Sequence, residues 1–432
     1  MQANINRNQL FVASCLALLV TSLSFGIRAG LLDTWKHEFG LTQEQVSIIT
    51  STAFWGFPLA IIIGGMVVDI IGMKKLLITA AVFHTLGIVL TITATGFWSL
   101  FISTLLIGLG NGTVEAACNP LVASLYTDKK TTKLNHFHLW FPGGIVIGTL
   151  IVRFLGVQIP DTAYLQNWKF LVGIMLIPTL LYGYYFARLS FPVTERVASG
   201  VSTREMYASL LHPLFLLMIV LMLGTAITEL FTGQWIDVLL KNVTDNALLL
   251  LTIETGVMVL GRAFAGPVVG KFSPQGVLLM SAIVSAIGLY MLGHFTGNML
   301  FVGALIFGIG VCYFWPTMIG FVAENLPKTG AVGLNLMGGA GMFAVSLYMI
   351  FMGGYYDKLI AGKLPAGADI GAYNAAPAGS DLANALAEAK KAAGPEIINA
   401  TLTIPIILTI AFAGLFIYMR GRGNQVRMAS TH

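Results

Sequence analysis

Twelve stretches of about twenty apolar residues follow one another along this chain, and no other feature restricts its fold as tightly. A helix of about 20 apolar residues crosses the hydrocarbon core of a bilayer with every backbone N–H and C=O satisfied internally. By that rule, spans are predicted near 10–32, 46–68, 76–94, 97–124, 137–158 and 168–188, and again near 211–238, 247–270, 275–295, 298–324, 330–353 and 396–420. Of the 432 residues 56% are hydrophobic and 10% charged, where a soluble domain carries about 25% charged residues. So few charges cannot coat a water-exposed surface. The expected class is all-α: a polytopic membrane protein of twelve transmembrane helices, sitting in the lipid bilayer of the plasma (inner) membrane.

Composition excludes several functions. The run Leu10 to Leu32 is too long for a signal-peptide core and lacks a cleavage site followed by soluble sequence, so it reads as a retained first span. Cys15, Cys118 and Cys312 all lie in apolar runs without paired spacing, which argues against disulfides and against a metal site. The net charge of +5 shows no basic patch interleaved with exposed aromatics, so no nucleic acid is expected as partner. No nucleophile–base arrangement, ATP-binding motif or soluble catalytic domain is present. The chain is therefore expected to be no enzyme, to need no cofactor and, if it transports, to do so as a secondary carrier.

The polar interval Arg188 to His212 divides the chain. The predicted organisation is a six-helix bundle over 1–190, a cytoplasmic linker over 191–210 and a second six-helix bundle over 211–432. An Ala-, Gly- and Pro-rich extracytoplasmic loop is expected near 354–395. With the N-terminus inside, the inside loops collect Arg7, Lys74, Lys75, Lys129, Lys130, Lys133, Arg188, Arg196, Arg204, Lys271, Lys328, Arg420, Arg422 and Arg427. This is the positive-inside pattern, and it puts both termini in the cytoplasm.

The halves also repeat. Gly65-Met66-Val67-Val68 matches Gly266-Pro267-Val268-Val269 at an offset of 201 residues, and Gly108-Leu109-Gly110 echoes Gly308-Ile309-Gly310 at an offset of 200. Two parallel six-helix repeats are the arrangement of a carrier whose site lies at mid-membrane between the halves. Span 4 carries the most conspicuous polar groups: Asn111, Glu115 and Asn119, four apart and therefore on one helix face. A carboxylate within a span costs about 3 kcal/mol or more and by default marks a functional path.

Several of these stretches resemble known transporters. Gly64-Gly65-Met66-Val67-Val68-Asp69-Ile70-Ile71-Gly72-Met73-Lys74-Lys75 resembles the loop signature of the major facilitator superfamily, in which that loop gates conformational change; the resemblance implies a gating role for Asp69. Within that superfamily, Asn111-Gly112-Thr113-Val114-Glu115-Ala116-Ala117-Cys118-Asn119-Pro120 resembles the span 4 pattern of the fucose/glucose/galactose:proton symporter group. Leu134-Asn135-His136-Phe137-His138 with Phe141 and Gly144 resembles that group's span 5 opening, Glu229 with Gln234-Trp235 its span 7, and Gly261-Arg262 the gate-side end of span 8. In that group the span 4 glutamate takes part in proton coupling and sugar recognition, a role the resemblance implies for Glu115. One departure stands out. Where those symporters carry an Asn-Asp pair in span 1, an ungapped count places Arg28-Ala29.

Arg28 is the repeat mate of Glu229, and Trp315 that of Glu115. An arginine at Arg28 suits bidentate binding of a carboxylate or neutralisation of Glu115 or Glu229. His138, one turn beyond Asn135, suits a hydrogen bond to a sugar hydroxyl or a proton relay. Trp315 suits a pyranose face, as do Trp140, Phe141 and Trp235 more weakly, and Asn111, Asn119 and Gln234 suit polyol hydroxyls. Arg262 with Glu254, and Glu324 near Lys328, are expected as ion pairs at span ends. The function expected is proton-coupled symport of a sugar or sugar-like solute by alternating access, by a monomer, with a proton or sodium as the coupling ion. The alternatives are symport of an organic anion such as a sugar acid anchored by Arg28, and proton-coupled export.

Overall fold

The computed structural model describes residues 5–160, 162, 164–233, 247–365, 367–368, 370–374, 376–377 and 379–429. The helices are α1 (Arg7–Ala29), α2 (Leu32–Glu38), α3 (Gln43–Ile71), α4 (Met73–Ile92), α5 (Phe97–Leu125), α6 (Lys130–His138), α7 (Trp140–Leu155), α8 (Trp168–Gly173), α9 (Leu176–Arg188), α10 (Glu195–Ala198), α11 (Thr203–Leu210), α12 (Pro213–Ala226), α13 (Ala247–Ala263), α14 (Ala265–His294), α15 (Met299–Val311), α16 (Phe314–Asn325), α17 (Gly330–Lys363), α18 (Ile370–Asn374) and α19 (Asp381–Ala429). Among the described residues eleven helical stretches are long and apolar enough to cross a membrane. α13, with 17 residues, supplies the twelfth span.

Several spans are built from two helices. Proline lacks the N–H that would bond four residues back, so Pro142 leaves His138 at the end of α6 and Pro316 leaves Cys312 just beyond α15. The surface is inverted relative to a soluble protein: Trp98, Phe154, Ile177, Ile410 and Ile417 are exposed, while Asn111, Glu115, Asn119 and His138 are buried. Such a surface suits lipid.

Packing divides the chain into two units. The first holds Met1–Ile219 with Pro316–Met342, and the second Val220–Trp315 with Phe343–His432. This differs from the sequence-based division at 191–210, because segments of α16 and α17 engage the early helices directly. Lys130 Nζ donates to the Ala323 carbonyl at 2.9 Å, the Thr131 N–H to Glu324 Oε1 at 2.9 Å, and Asn335 Nδ2 to the Ala116 carbonyl at 2.9 Å. Glu324 thus serves a backbone amide rather than the expected pair with Lys328. The interval 191–210 is also ordered within the first unit, as α10 and α11 with a capping box at Ser202 and Glu205.

The sequence repeat appears as matched packing inside each unit. Gly108 lies against Ala53 in the first unit and Gly308 against Glu254 in the second. Gly110 lies against His84 and Gly310 against Ser285. Gly87 lies against Ile107 and Gly288 against Phe307. Each glycine lets two helices approach within a distance a side chain would forbid. The turns repeat as well: Gly72 has φ 88° and ψ 148°, and Ser273, its mate at offset 201, has φ 60° and ψ 159°.

One expectation fails in detail. Instead of a loop across 354–395, α17 continues to Lys363 and α19 begins at Asp381, the two joined by a 2.5 Å ion pair between Lys363 and Glu396. Gly and Pro are densest over about 364–379, whereas Leu382 to Ala393 has neither and is dominated by alanine, leucine and lysine, strong helix formers.

Candidate functional site

In the first unit the buried polar groups form two connected sets. Asn119 sits between the other two members of the first: its Nδ2 donates to Glu115 Oε2 at 3.0 Å, and its Oδ1 accepts from His138 Nε2 at 3.0 Å. The four-residue spacing on α5 makes the Glu115–Asn119 contact local. The break before Pro142 brings His138 to it from α6. Asn135, one turn before His138, donates to the Thr131 carbonyl at 2.9 Å and to Thr317 Oγ1 at 3.2 Å.

Asn111 belongs to the second set. Its Oδ1 accepts from His84 Nε2 at 2.9 Å, its Nδ2 donates to Ser24 Oγ at 3.2 Å, and His84 Nδ1 is hydrogen-bonded with the Tyr182 hydroxyl at 2.8 Å. This chain from α9 through α4 and α5 to α1 is a strut fully inside the unit.

Arg28 stands apart. It is 7% exposed, its guanidinium carbon lies 5.0 Å from the centre of the Phe25 ring, and among the described residues it forms no ion pair. From sequence Glu115 or Glu229 is its expected counter-ion; the structure pairs it with neither. A small cavity beside it is lined by Ser24, Trp35, Thr91, Thr104 and Met175. Trp35 Nε1, buried there, has no hydrogen-bond partner among the described residues. Arg28 and Trp35 thus bring donors to this cavity that no described residue accepts from.

In the second unit α12 ends in a π-turn, Ile227–Phe231, which widens the helix by one residue and turns Glu229 inward. Glu229 Oε1 accepts from Arg262 at 2.6 Å, and its Oε2 accepts from the Trp315 backbone N–H at 3.2 Å. Arg262 Nε also donates to the Cys312 carbonyl at 2.6 Å. Arg262 sits in the last turn of α13, and its ion pair there is with Glu229 rather than with the expected Glu254. The Trp315 indole N–H is unpartnered among the described residues. Gln234, with Trp235, lies outside the described residues.

Asp69, expected as a gate residue, closes a third cluster in the first unit. It accepts from Thr194 Oγ1 at 2.5 Å and Arg196 Nε at 2.5 Å, while Lys130 bonds Glu195 at 2.7 Å. Sequence reasoning missed His84 and Tyr182, since a lone histidine in an apolar run carries no local signal of its partners. It treated Glu254 only as an ion-pair partner, though the structure leaves Glu254 Oε2 without a partner among the described residues.

Long apolar helices with lipid-suited outer faces and buried polar groups are those of a polytopic membrane protein. A sequence profile of the Major Facilitator Superfamily matches residues 14–245, more than half of the chain, and the chain belongs to that family. The fold is similar to that of the fucose:proton symporter FucP of E. coli, with a TM-score of 0.68 at 16% identity over 92% of this chain and 98% of that one. Among curated proteins, myo-inositol transporter 1 of Saccharomyces cerevisiae is 28% identical over 181 residues, 39% of this chain and 28% of the relative. A probable chloroplastic anion transporter 6 of Arabidopsis thaliana is 24% identical over 170 residues, 39% of this chain and 32% of the relative. The chain spans about a third of the length of these curated relatives.

Proposed function

We propose that this chain is a proton-coupled symporter of a sugar acid, a polyol bearing a carboxylate. The observation that carries this reading is Arg28, a buried guanidinium without an anionic partner among the described residues. An unpaired charge inside a span is expensive, and an incoming carboxylate would supply the missing partner. Relatives whose names specify a polyol, an anion and fucose with a proton are compatible with such a solute.

Each group then has a task. Arg28 takes the carboxylate, bidentately where geometry allows. Glu115 takes up the coupling proton, and its bond from Asn119 passes that change to His138. Asn119 and His138 exchange hydrogen bonds within the protein for bonds to solute hydroxyls. Asp69 with Arg196, and Lys130 with Glu195, latch the cytoplasmic end and must break for the carrier to open there. Protonating Glu115 as an anion binds keeps the loaded unit at its resting charge, which lowers the barrier to alternating access.

The test is uptake into proteoliposomes under an imposed pH gradient, with D-galacturonate and D-galactose as competing solutes. Galacturonate should be accumulated and galactose should compete weakly. Arg28→Gln should weaken galacturonate by about 2–5 kcal/mol, or roughly 30- to several-thousand-fold. Equal competition by galactose, with Arg28→Gln transporting as wild type, would refute the sugar-acid reading.

A further inference from the structure

The second unit buries two carboxylates, Glu229 and Glu254, around one guanidinium, Arg262. Arg262 forms its ion pair with Glu229 and spends its Nε on the Cys312 carbonyl. Glu254 is 2% exposed and forms no ion pair among the described residues. Its carboxylate rests against the backbone of Gly233: a β-carbon built there would stand 3.1 Å from Glu254 Oε1. The neighbouring Thr232 hydroxyl is buried and, among the described residues, equally unpartnered.

The main chain of Glu254 is fixed too. A β-carbon on Gly308 would lie 3.0 Å from Glu254 Cα, so α13 and α15 leave no space for the side chain to withdraw along that face. The equivalent contact in the first unit, Gly108 on Ala53, has a methyl group where the second unit has a carboxyl. A small residue satisfies this packing, so packing does not explain a glutamate here. Among the described residues, the titratable groups around this stretch are Glu229 on the π-turn, Arg262 on the same helix, and Cys312 and Tyr313 after α15; α15 itself carries no charged residue. Ionised, the three charged groups sum to −1 with no further counter-ion among the described residues; with one proton they are neutral.

We propose that Glu254 is a second proton-carrying group of the transport cycle, held by the second unit and distinct from Glu115. In one state the proton is bound to a Glu254 oxygen, in the pocket where that carboxyl meets Gly233. When water reaches the site, the O–H bond breaks, the electron pair stays on the carboxylate and the proton leaves to water. The Glu229–Arg262 pair keeps its own charges balanced and does not exchange the proton. The place of this step in transport rests on the proton-coupled reading above; the presence of the proton does not.

Infrared difference spectra of the purified full-length protein in lipid, in H2O and D2O at neutral pH, read the proton without any solute. A buried carboxylic-acid C=O band should appear in wild type and in Glu115→Gln, disappear in Glu254→Gln, and shift in Glu254→Asp, which retains a carboxyl group if the glutamine variant does not fold. A band unchanged in Glu254→Gln, or in Glu254→Asp, overturns the assignment. Proton uptake per D-galacturonate, measured in weakly buffered proteoliposomes, should fall by one in Glu254→Gln; an unchanged ratio overturns the transport role. Wild-type protein that ignores galacturonate would refute the sugar-acid reading and leave the infrared result to stand or fall alone.

Discussion

Arg28 and Glu229 occupy equivalent repeat positions 201 residues apart, and among the described residues only Glu229 has a counter-ion. The two positions therefore differ in what they ask of the rest of the protein. Glu229 is satisfied internally by Arg262 and the Trp315 amide. Arg28 has the face of Phe25 and a small cavity. A desolvated cation over an aromatic ring gains about 2 kcal/mol, less than the several kcal/mol that burying an ion costs.

This asymmetry predicts opposite effects on stability. Glu229→Gln leaves Arg262 buried without its anion and should cost about 3–5 kcal/mol. Arg28→Met removes an uncompensated charge at similar volume and should raise stability, by on the order of 1 kcal/mol, while abolishing anion transport. Thermal melting of the purified variants in detergent checks both. A lower melting temperature for Arg28→Met would mean that Arg28 has a stabilising partner after all.

Gly72 and Ser273 supply a second prediction. Both turns need a positive φ, which glycine adopts freely and serine only with strain. Ser273→Gly should stabilise the turn between α13 and the main part of α14 by about 1 kcal/mol, and Gly72→Ser should destabilise its counterpart by a similar amount. Equal melting temperatures for the two variants would show that the turns are not equivalent.

What the sequence made legible follows from how local each signal is. The Glu115–Asn119 contact is an i,i+4 pair on one helix, so spacing alone revealed it. The glycine pairs were visible as a repeat, but the residues they meet, such as His84 and Ser285, lie on other helices and carry no pattern of their own. Arg262 was assigned the wrong carboxylate because its partner depends on the π-turn at Ile227–Phe231, a one-residue register change that hydropathy does not register. The helical start of α19 was hidden by nearby Gly and Pro residues, although its alanine-rich composition favoured a helix. That no described residue pairs with Arg28 was out of reach, since it is a statement about every residue in its surroundings.

The glycine repeat predicts different coupling in the two units. A β-carbon on Gly110 would stand 2.3 Å from His84 Cδ2, a side-chain atom, whereas on Gly310 it would stand 2.3 Å from the Ser285 backbone nitrogen. Either alanine substitution overpacks a helix contact and should cost about 1–3 kcal/mol. The obstacles differ in what can remove them. Replacing His84 by serine clears the ring from Gly110→Ala, so that part of the cost should be recovered in the double variant and the cycle should show a coupling of at least about 0.5 kcal/mol. Ser285→Ala leaves the backbone nitrogen in place, so Gly310→Ala should gain nothing from it. The four variants and two doubles can be compared by denaturation in mixed micelles; strong coupling at Gly310, or none at Gly110, would contradict the packing described for that unit.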